Sequence, residues 1–273
     1  MVARDPHRFV NELDEATRDR LIFRLENRAR DVVFTRLFDK YVDRLGLAPS
    51  VRILEVGCGT GAMLRLLARR PDFSGEAVGV DQSHAFIAAA NRFAHDEGLH
   101  DRVNFQVGDA HHLKYPPASF DVVLAHTLIS HVTEPATVLT EMARVARPGG
   151  TVVIFDGDYA SLTYSFADHC FGRQMDAALA NVTFNNPRIM RDLPRLLPDL
   201  GLSLVSAWGD AVVEIGNGSY FKSFAETYVP YVREAGLLPA PEIEVWVSEQ
   251  QHALDNGTFF AACNYYTYLA RRW

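Results

Sequence analysis

The segment formed by residues 51–61 most constrains what this chain can fold into, because an apolar stretch runs into three closely spaced glycines. Residues 51–56 are typical of a short buried strand, and the turn after them is Gly57-Cys58-Gly59-Thr60-Gly61. Glycine adopts positive φ readily, and without a Cβ it lets a ligand approach the backbone. A helix predicted from Ala62 points its free N–H groups and positive dipole end at this loop. The segment therefore predicts a strand–loop–helix unit that holds a nucleotide-like molecule at the carboxyl end of a sheet.

The loop alone leaves the identity of that molecule open. The run from Gly57 to Ala62 satisfies the dinucleotide pattern G-x-G-x-x-G/A, so a nicotinamide cofactor fits it as well as a methyl donor does. A third interpretation is that the glycines serve only the turn. The segments that follow must decide between these interpretations.

Composition narrows the class of protein. The chain has 273 residues, enough for one elaborated domain or two small ones. Its net charge of −7 and its three lysines argue against a nucleic-acid surface, which needs clustered basic residues. No apolar run approaches the ~20 residues of a membrane helix. The charged N-terminus lacks a secretion signal, and Cys58, Cys170 and Cys263 are too far apart to suggest disulfides or a zinc cluster, so a cytosolic location is expected.

Strand and helix patterns alternate after the loop. A second strand at 76–81 ends in Asp81, about twenty residues past the glycines, where an open α/β sheet places a carboxylate for ribose hydroxyls. The alternative for Asp81 is a helix N-cap. Further strands are predicted at 102–110, 120–126 and 151–156, the last after a helix ended by Pro148-Gly149-Gly150. This alternation predicts right-handed crossovers and a parallel sheet covered on both faces.

These segments together resemble the class I S-adenosylmethionine-dependent methyltransferases, specifically their small-molecule branch. The resemblance covers roughly residues 50–156. It is carried by the glycine segment with its acid, the strand end at 78–81, the turn at 107–110, the stretch 120–135 and the run 147–150.

The C-terminal pattern bears on the nicotinamide alternative. Extended stretches at 202–215 and 258–269 fit the antiparallel final pair of the methyltransferase sheet, whereas a dinucleotide-binding half more often continues with parallel crossovers. We therefore expect an α/β fold, a Rossmann-like doubly wound seven-stranded sheet with an antiparallel final strand, an N-terminal helical cap and helical insertions. The expected parts are the cap at 1–49, the cofactor-binding core at 50–156, and the substrate-cap insertions plus the last two strands at 157–273.

The resemblance also implies a cofactor, S-adenosylmethionine, with S-adenosylhomocysteine as its product, and a set of binding residues. The glycines would admit the methionine and ribose portions, Glu55 would orient the loop or reach the amino end through water, and Asp81 would accept from the ribose. The implied cofactor-binding residues are Glu55, Gly57, Cys58, Gly59, Gly61, Asp81, Gln82, Asp109, Ala110 and His126. In this set Gln82 would flank the adenine, and Asp109 would accept a hydrogen bond from the adenine amino group, with the backbone N–H of Ala110 beside it. His126 would border the methionine portion.

Residues 9–45 show apolar spacing typical of two amphipathic helices. We expect them to pack over the core. A lid over the ligand and a contact between copies in a homo-oligomer are the functional alternatives.

The candidate catalytic residues are His131, Asp158 and Tyr159, which are expected near the carboxyl ends of strands. A general base is needed only if the acceptor must lose a proton, and histidine suits that role. Many relatives carry two adjacent histidines where this chain has Ser130-His131, so only His131 matches, and a structural role for it stays open. Nearby acids show no recognised metal-binding spacing, and no metal is expected.

Aromatic residues are frequent in the insertions at 159–200 and 216–257. They favour a pocket for a small apolar or aromatic acceptor, with packing of the extra helices as the plainer explanation. The predicted function is thus methyl transfer to a small metabolite, with neither nucleic acid nor membrane as partner. The alternatives are an NAD(P)-dependent oxidoreductase and a non-catalytic S-adenosylmethionine-binding protein.

Overall fold

The computed structural model describes residues 10–273. Residues 1–9 lie outside this range. They include the first part of the expected cap and the charged segment in which no secretion signal is predicted. The strands of the described chain are β1 (Arg52–Val56), β2 (Glu76–Asp81), β3 (Val103–Val107), β4 (Phe120–His126), β5 (Ala146–Tyr164), β6 (Leu202–Gly216) and β7 (Phe259–Arg272).

The helices begin and end largely where local chemistry predicts. Asp14, Asp31, Ser83 and Asp168 cap helix N-termini by accepting backbone N–H groups, and Gly46 ends a helix in the left-handed conformation. The helices are α1 (Glu15–Arg30), α2 (Val32–Leu45), α3 (Ala62–Arg69), α4 (His84–Asp96), α5 (Pro135–Val145), α6 (His169–Thr183), α7 (Ile189–Asp199), α8 (Tyr220–Ala235) and α9 (Ala240–Asp255).

The strands form one seven-stranded sheet in the order β3-β2-β1-β4-β5-β7-β6. The pairs β1–β2, β1–β4, β2–β3 and β4–β5 are parallel, whereas β7 runs antiparallel to both β5 and β6. The order reverses at β1, and a doubly wound sheet opens a ligand crevice at such a point. The predicted fold is confirmed, including its antiparallel final strand.

The fifth strand differs from its prediction. It begins at Ala146 instead of Thr151, where Ala146 pairs with Phe120 of β4. It continues to Tyr164 because β7 pairs with it from Thr151 to Tyr164, apart from an irregularity between Asp158 and Thr163. The helix before it ends at Val145, three residues before the proline. Asp158 and Tyr159, expected in an insertion, therefore lie within this strand.

Apolar side chains cover both faces of the sheet. One layer joins the sheet to α2, α3, α4, α6, α8 and α9, and the other joins it to α5 and α7. Within residues 10–273, no helix combines the length and apolar character needed to cross a membrane.

The N-terminal helices pack in different places. Helix α2 enters the core through Phe34, Leu37 and Phe38. Helix α1 is fixed to the glycine loop by Glu26, whose carboxylate accepts from Thr60 Oγ1 and pairs with Arg65 Nη2, each at 2.6 Å. This contact places one face of α1 over the carboxyl edge of the sheet.

Candidate active site

A cavity of about 380 Å³ lies at the carboxyl ends of β1 to β4. Its floor is the set of loops that follow those strands, and these loops are joined to one another. Gly57 N–H and Cys58 N–H both donate to Val80 O, at 2.7 and 3.0 Å, and Gly108 N–H donates to Asp81 O at 3.0 Å. These backbone hydrogen bonds tie the loops of the floor to the ends of the strands and to one another.

The glycine loop has the backbone conformation that its sequence predicts. The φ angles of Gly57, Gly59 and Gly61 are +70°, +54° and +72°. Gly57 and Gly59 line the cavity together with Cys58. Gly61 does not line it: Gly61 occupies the N-cap of α3, and a Cβ there would stand 2.3 Å from Phe105 Cζ. The third glycine therefore serves the turn and the packing beneath it.

Asp81 lines the cavity and braces its floor. One carboxylate oxygen accepts from Gly59 N–H and the other from Ser83 N–H, both at 2.9 Å. Burial raises the pKa of this carboxyl, although the two N–H donors favour its anion. The N-cap of α4 is Ser83, which accepts from Phe86 N–H, so the capping alternative for Asp81 is wrong. The remaining acceptor capacity of Asp81 is available to ligand hydroxyls.

Glu55 is the most buried acid of the cavity, with 2% of its surface exposed. Its Oε2 atom has no hydrogen-bond partner within the described residues. Burial raises the pKa of Glu55 well above its usual range, and the charge of nearby Asp81 raises it further, while Arg28 opposes both. A cationic ligand group next to Glu55 would supply the missing partner.

His126 presents a second unpartnered atom. Its Nδ1 lies 2.9 Å from Tyr41 Oη, its ring packs on Phe155, and its buried Nε2 has no partner within residues 10–273. Burial lowers the pKa of His126 well below its usual value, and Arg28 lowers it further, so the ring is neutral. Burial likewise raises the pKa of Tyr41, which stays protonated and can donate to Nδ1. The ring proton then resides on Nε2.

The loop after β3 contributes Asp109 and Ala110, which both line the cavity. Asp109 is exposed and accepts from the backbone N–H of His111 at 2.9 Å and meets its Nδ1 at 2.8 Å. Partial burial raises the pKa of Asp109, but the hydrogen bonds from His111 outweigh that effect and leave the pKa below its usual value. Gln82, at the end of β2, lines the same side.

Two arginines that sequence reasoning missed form the opposite wall. Arg24 and Arg28 lie on one face of α1, one turn apart, and both line the cavity. Arg28 Nη2 donates to Thr127 Oγ1 at 2.8 Å, and Thr127 has a φ of 56°, which is uncommon for a β-branched residue. The only sequence signal was their i, i+4 spacing, which is equally typical of a solvated helix face.

The predicted catalytic residues separate into two groups. His131 and Tyr159 line the cavity, and each packs against Phe184, with ring centroids 4.9 and 3.4 Å apart. Asp158 lies elsewhere: it is 2% exposed, and Arg191 Nε donates to both of its oxygens at 2.9 Å. The structure therefore does not bring Asp158 to the cavity, because β5 turns its carboxylate toward α7.

The aromatic residues of the two predicted insertions lie in two different environments. Phe184, Tyr220 and Tyr228 line the cavity with Tyr159, whereas most of the others fill the core between the sheet and the extra helices. The acidic residue Asp168, in the first of these insertions, caps the N-terminus of α6. Among the described residues no group of three or more His, Cys, Asp or Glu side chains is arranged to hold a metal ion.

The chain is similar to known proteins over this same region. Residues 54–154 match the family described as "Methyltransferase domain". The phosphatidylethanolamine N-methyltransferase of Cereibacter sphaeroides is 37% identical over 146 residues, which are 50% of this chain and 70% of that protein.

A longer match and a solved structure extend the comparison. An uncharacterized 37.1 kDa protein in transposon TN4556 of Streptomyces fradiae is 31% identical over 236 residues, or 84% of this chain. The chain spans 65% of the length of that relative. The crystal structure of the 4+2 cyclase SpnF has a TM-score of 0.58 at 23% identity, covering 87% of this chain and 80% of that one, which shows a shared fold.

Proposed function

The chain belongs to the class I S-adenosylmethionine-dependent methyltransferase family, and from this premise we propose that it methylates a small organic acceptor with S-adenosylmethionine as donor. The observation that carries the proposal is the polar floor of the cavity, in which Asp81 braces the glycine loop and Glu55 keeps an unpartnered oxygen. When bound, the donor supplies a methyl group on a sulfonium sulfur, which leaves as a neutral thioether.

The residues present fit that donor. Glu55 Oε2 suits an ammonium group, and Arg28, on the facing wall, suits the carboxylate of the same amino acid. Asp81 suits a ribose diol, because its oxygens keep acceptor capacity beyond Gly59 and Ser83. Asp109, Ala110 and Gln82 would flank the adenine, His126 would border the methionine portion, and Gly57, Cys58 and Gly59 would form the floor.

At the acceptor end, the protein's contribution is alignment and exclusion of water. Tyr159, Phe184, Tyr220 and Tyr228 form an aromatic wall that would hold an apolar body and keep the site dry. His131 is the residue on this wall suited to accept a proton from the acceptor. Asp158 has no part in the proposal, because Arg191 occupies its carboxylate.

Binding separates one alternative from the proposal, and a product assay separates the other. A nicotinamide-dependent oxidoreductase would bind NADH and not the methyl donor. A non-catalytic binding protein would bind the donor and yield no methylated product. Because a cyclase shares the fold, methyl transfer must be measured directly.

Calorimetric titration with S-adenosylmethionine, S-adenosylhomocysteine and NADH tests the donor assignment. We expect the first two to bind and NADH not to bind. Asp81→Ala should weaken binding by at least about tenfold, the value of a hydrogen bond to a charged group. Asp101→Ala, a highly exposed acid, is the matched control and should bind normally. Donor binding that is unchanged in Asp81→Ala would refute the assignment of this loop.

Transfer of a labelled methyl group to a panel of small acceptors tests the reaction. His131→Ala should keep S-adenosylhomocysteine affinity and lose turnover, because the proposed role of His131 is confined to the acceptor. Full turnover in this variant would return His131 to a structural role. Donor binding with no product from any acceptor would favour the binding-protein alternative.

The proposal retains two expectations from the sequence. One is a cytosolic location, supported by the free state of Cys58, Cys170 and Cys263. The other is self-association through the N-terminal helices, although the position of α1 on the cavity favours a wall or lid for that helix.

A further inference from the structure

Arg24 lies on the cavity wall in a setting that differs from that of the paired arginines. Its guanidinium carbon is 5.4, 5.1 and 5.0 Å from the ring centroids of Tyr220, Phe224 and Tyr228. Arg65, Arg144 and Arg191 each pair with carboxylates, but Arg24 forms no ion pair with any acid of residues 10–273. Its one side-chain hydrogen bond in that range is long, 3.5 Å from Nη1 to Ser223 Oγ.

This arrangement leaves donors of Arg24 available. A guanidinium has five N–H donors in its plane, and aromatic faces satisfy its charge without using them. Arg24 is half-buried and lines the cavity, so water serves those donors only in part. A carboxylate or phosphate is the group that matches such a fork of donors.

The two cavity arginines have different surroundings. Arg28 interacts with Glu55 and His126, on the side of the cavity where the glycine loop lies, and it also reaches Tyr159 and Tyr220. The groups that interact with Arg24 are Tyr228, Tyr220, Tyr265 and Tyr164, from β5, β7 and α8. Arg24 thus lies at the aromatic end, away from the acids that suit the donor.

We propose that Arg24 binds an anionic group, a carboxylate or a phosphate, on the acceptor, and that the aromatic wall holds the apolar body of that acceptor. This inference rests on the proposed function, because it divides one cavity between a donor end and an acceptor end. It narrows the substrate class from apolar or aromatic metabolites to organic acids or phosphate esters that carry an apolar body.

Calorimetric titration of the S-adenosylhomocysteine-saturated protein tests the assignment without requiring the natural acceptor. The probes are 4-hydroxycinnamate, its neutral methyl ester, and phenyl phosphate. We expect at least one anionic probe to bind about tenfold more tightly than the ester, as a charged hydrogen-bonded pair predicts. Which anion binds more tightly distinguishes a carboxylate from a phosphate.

Three variants localise the effect. Arg24→Met keeps the length of the side chain and should remove the preference for anions, while S-adenosylhomocysteine affinity stays within about twofold. Arg24→Lys should keep part of the preference, because it retains the charge without the planar fork. Arg20→Met, an exposed arginine on the same helix, is the control and should match the wild type.

The contrary outcomes are equally specific. The proposal fails if neither anionic probe binds more tightly than the ester, or if the preference survives in Arg24→Met. It also fails if Arg24→Met loses S-adenosylhomocysteine affinity, because Arg24 would then serve the donor. Failure of the wild type to bind S-adenosylhomocysteine would instead overturn the proposed function itself.

Discussion

Glu55 combines deep burial with a carboxylate oxygen that has no hydrogen-bond partner within the described residues. Its effect on the stability of the folded protein should therefore depend on whether a cationic ligand group is bound. An ionised carboxylate in this position is desolvated by burial and repelled by Asp81, and Arg28 offsets these effects only in part, so the folded protein favours its neutral form. A bound ammonium group reverses that preference. The residue therefore weakens the empty protein at high pH and strengthens the complex.

Replacement of Glu55 by glutamine should separate these two effects. The pKa of Glu55 is raised in the folded state, so its stabilising contribution is present below the unfolded value of 4.5 and is lost as the pH rises through the folded value. Glu55→Gln should therefore have a higher Tm than the wild type at about pH 8, with the gap closing near about pH 4.5. Its affinity for S-adenosylhomocysteine should fall by about tenfold. Equal affinity in calorimetry would remove Glu55 from the donor site.

Gly61 shows how a glycine can be required by packing as well as by backbone conformation. Gly61 and Gly98 have φ values of +72° and +67°, but a Cβ on Gly61 meets Phe105 at 2.3 Å, while one on Gly98 meets nothing within 4 Å. Gly98→Ala should lower the free energy of unfolding by about 1 kcal/mol, the cost of placing an alanine at positive φ. Gly61→Ala should lower the free energy of unfolding by about 2–4 kcal/mol, because the clash of the new Cβ with Phe105 adds to the cost of positive φ. Equal losses in urea denaturation would show that Phe105 moves aside without strain.

At the scale of elements, the contact between β5 and α6 depends on an acid in an unfavourable position. Asp176 of α6 accepts from Tyr164 N–H at the end of β5, at 3.1 Å. Burial raises its pKa to about 7, although the hydrogen bonds from Tyr164 and Thr163 oppose the shift. The helix is therefore held most firmly when this carboxyl is protonated.

The Asp176→Asn variant should reveal that dependence. The folded pKa lies above the unfolded value of 3.8, so stability from this group is complete below that value and is lost as the pH rises through about 7. Asparagine keeps an acceptor for Tyr164 N–H and does not ionise. The variant should match the wild type in Tm near about pH 4 and exceed it at about pH 8.5. A gap that is constant across this range would exclude titration of Asp176 as the cause.

At the scale of the whole molecule, the sequence specified the sheet and left the cavity walls open. Apolar runs and glycines predicted the succession of strands along the chain, because these features are periodic and local, whereas the antiparallel arrangement of the last pair was implied by the resemblance to class I methyltransferases. Arg24 and Arg28 could not be placed, since their role depends on how α1 docks on the glycine loop. Asp158 was misplaced for a similar reason: pairing with β7, about a hundred residues later, extends β5 and turns this carboxylate toward Arg191.

Helix α1 forms a wall of the cavity because side-chain contacts hold it against α3 and the glycine loop. Glu26 and Arg65, with side chains 10% and 4% exposed, join α1 to α3, and Thr60 joins the same acid to the glycine loop. Arg65 also pairs with Glu97, so it keeps one carboxylate if Glu26 is neutralised. Ligand binding on the loop should consequently be coupled to the opening of α1.

Amide hydrogen exchange of Glu26→Gln and the wild type, with and without S-adenosylhomocysteine, measures that coupling. In the wild type, ligand at about 100 times its Kd adds about 2.7 kcal/mol and should slow exchange across α1 as well as in the loops. Helix α9, which contributes no lining residue within the described chain, should be protected less. Glu26→Gln should exchange at least about tenfold faster across α1, or about 1.4 kcal/mol, and bind the ligand more weakly.

Asp19→Asn removes the same charge from an exposed position of α1 and should behave as the wild type. Protection that stays confined to the loops, with α1 exchanging at the same rate in every state, would mean that α1 only packs beside the site. In that case the N-terminal helices would be better explained as a contact between copies of the chain. Slowed exchange in α1 that disappears in Glu26→Gln would instead identify α1 as a wall that closes with the ligand.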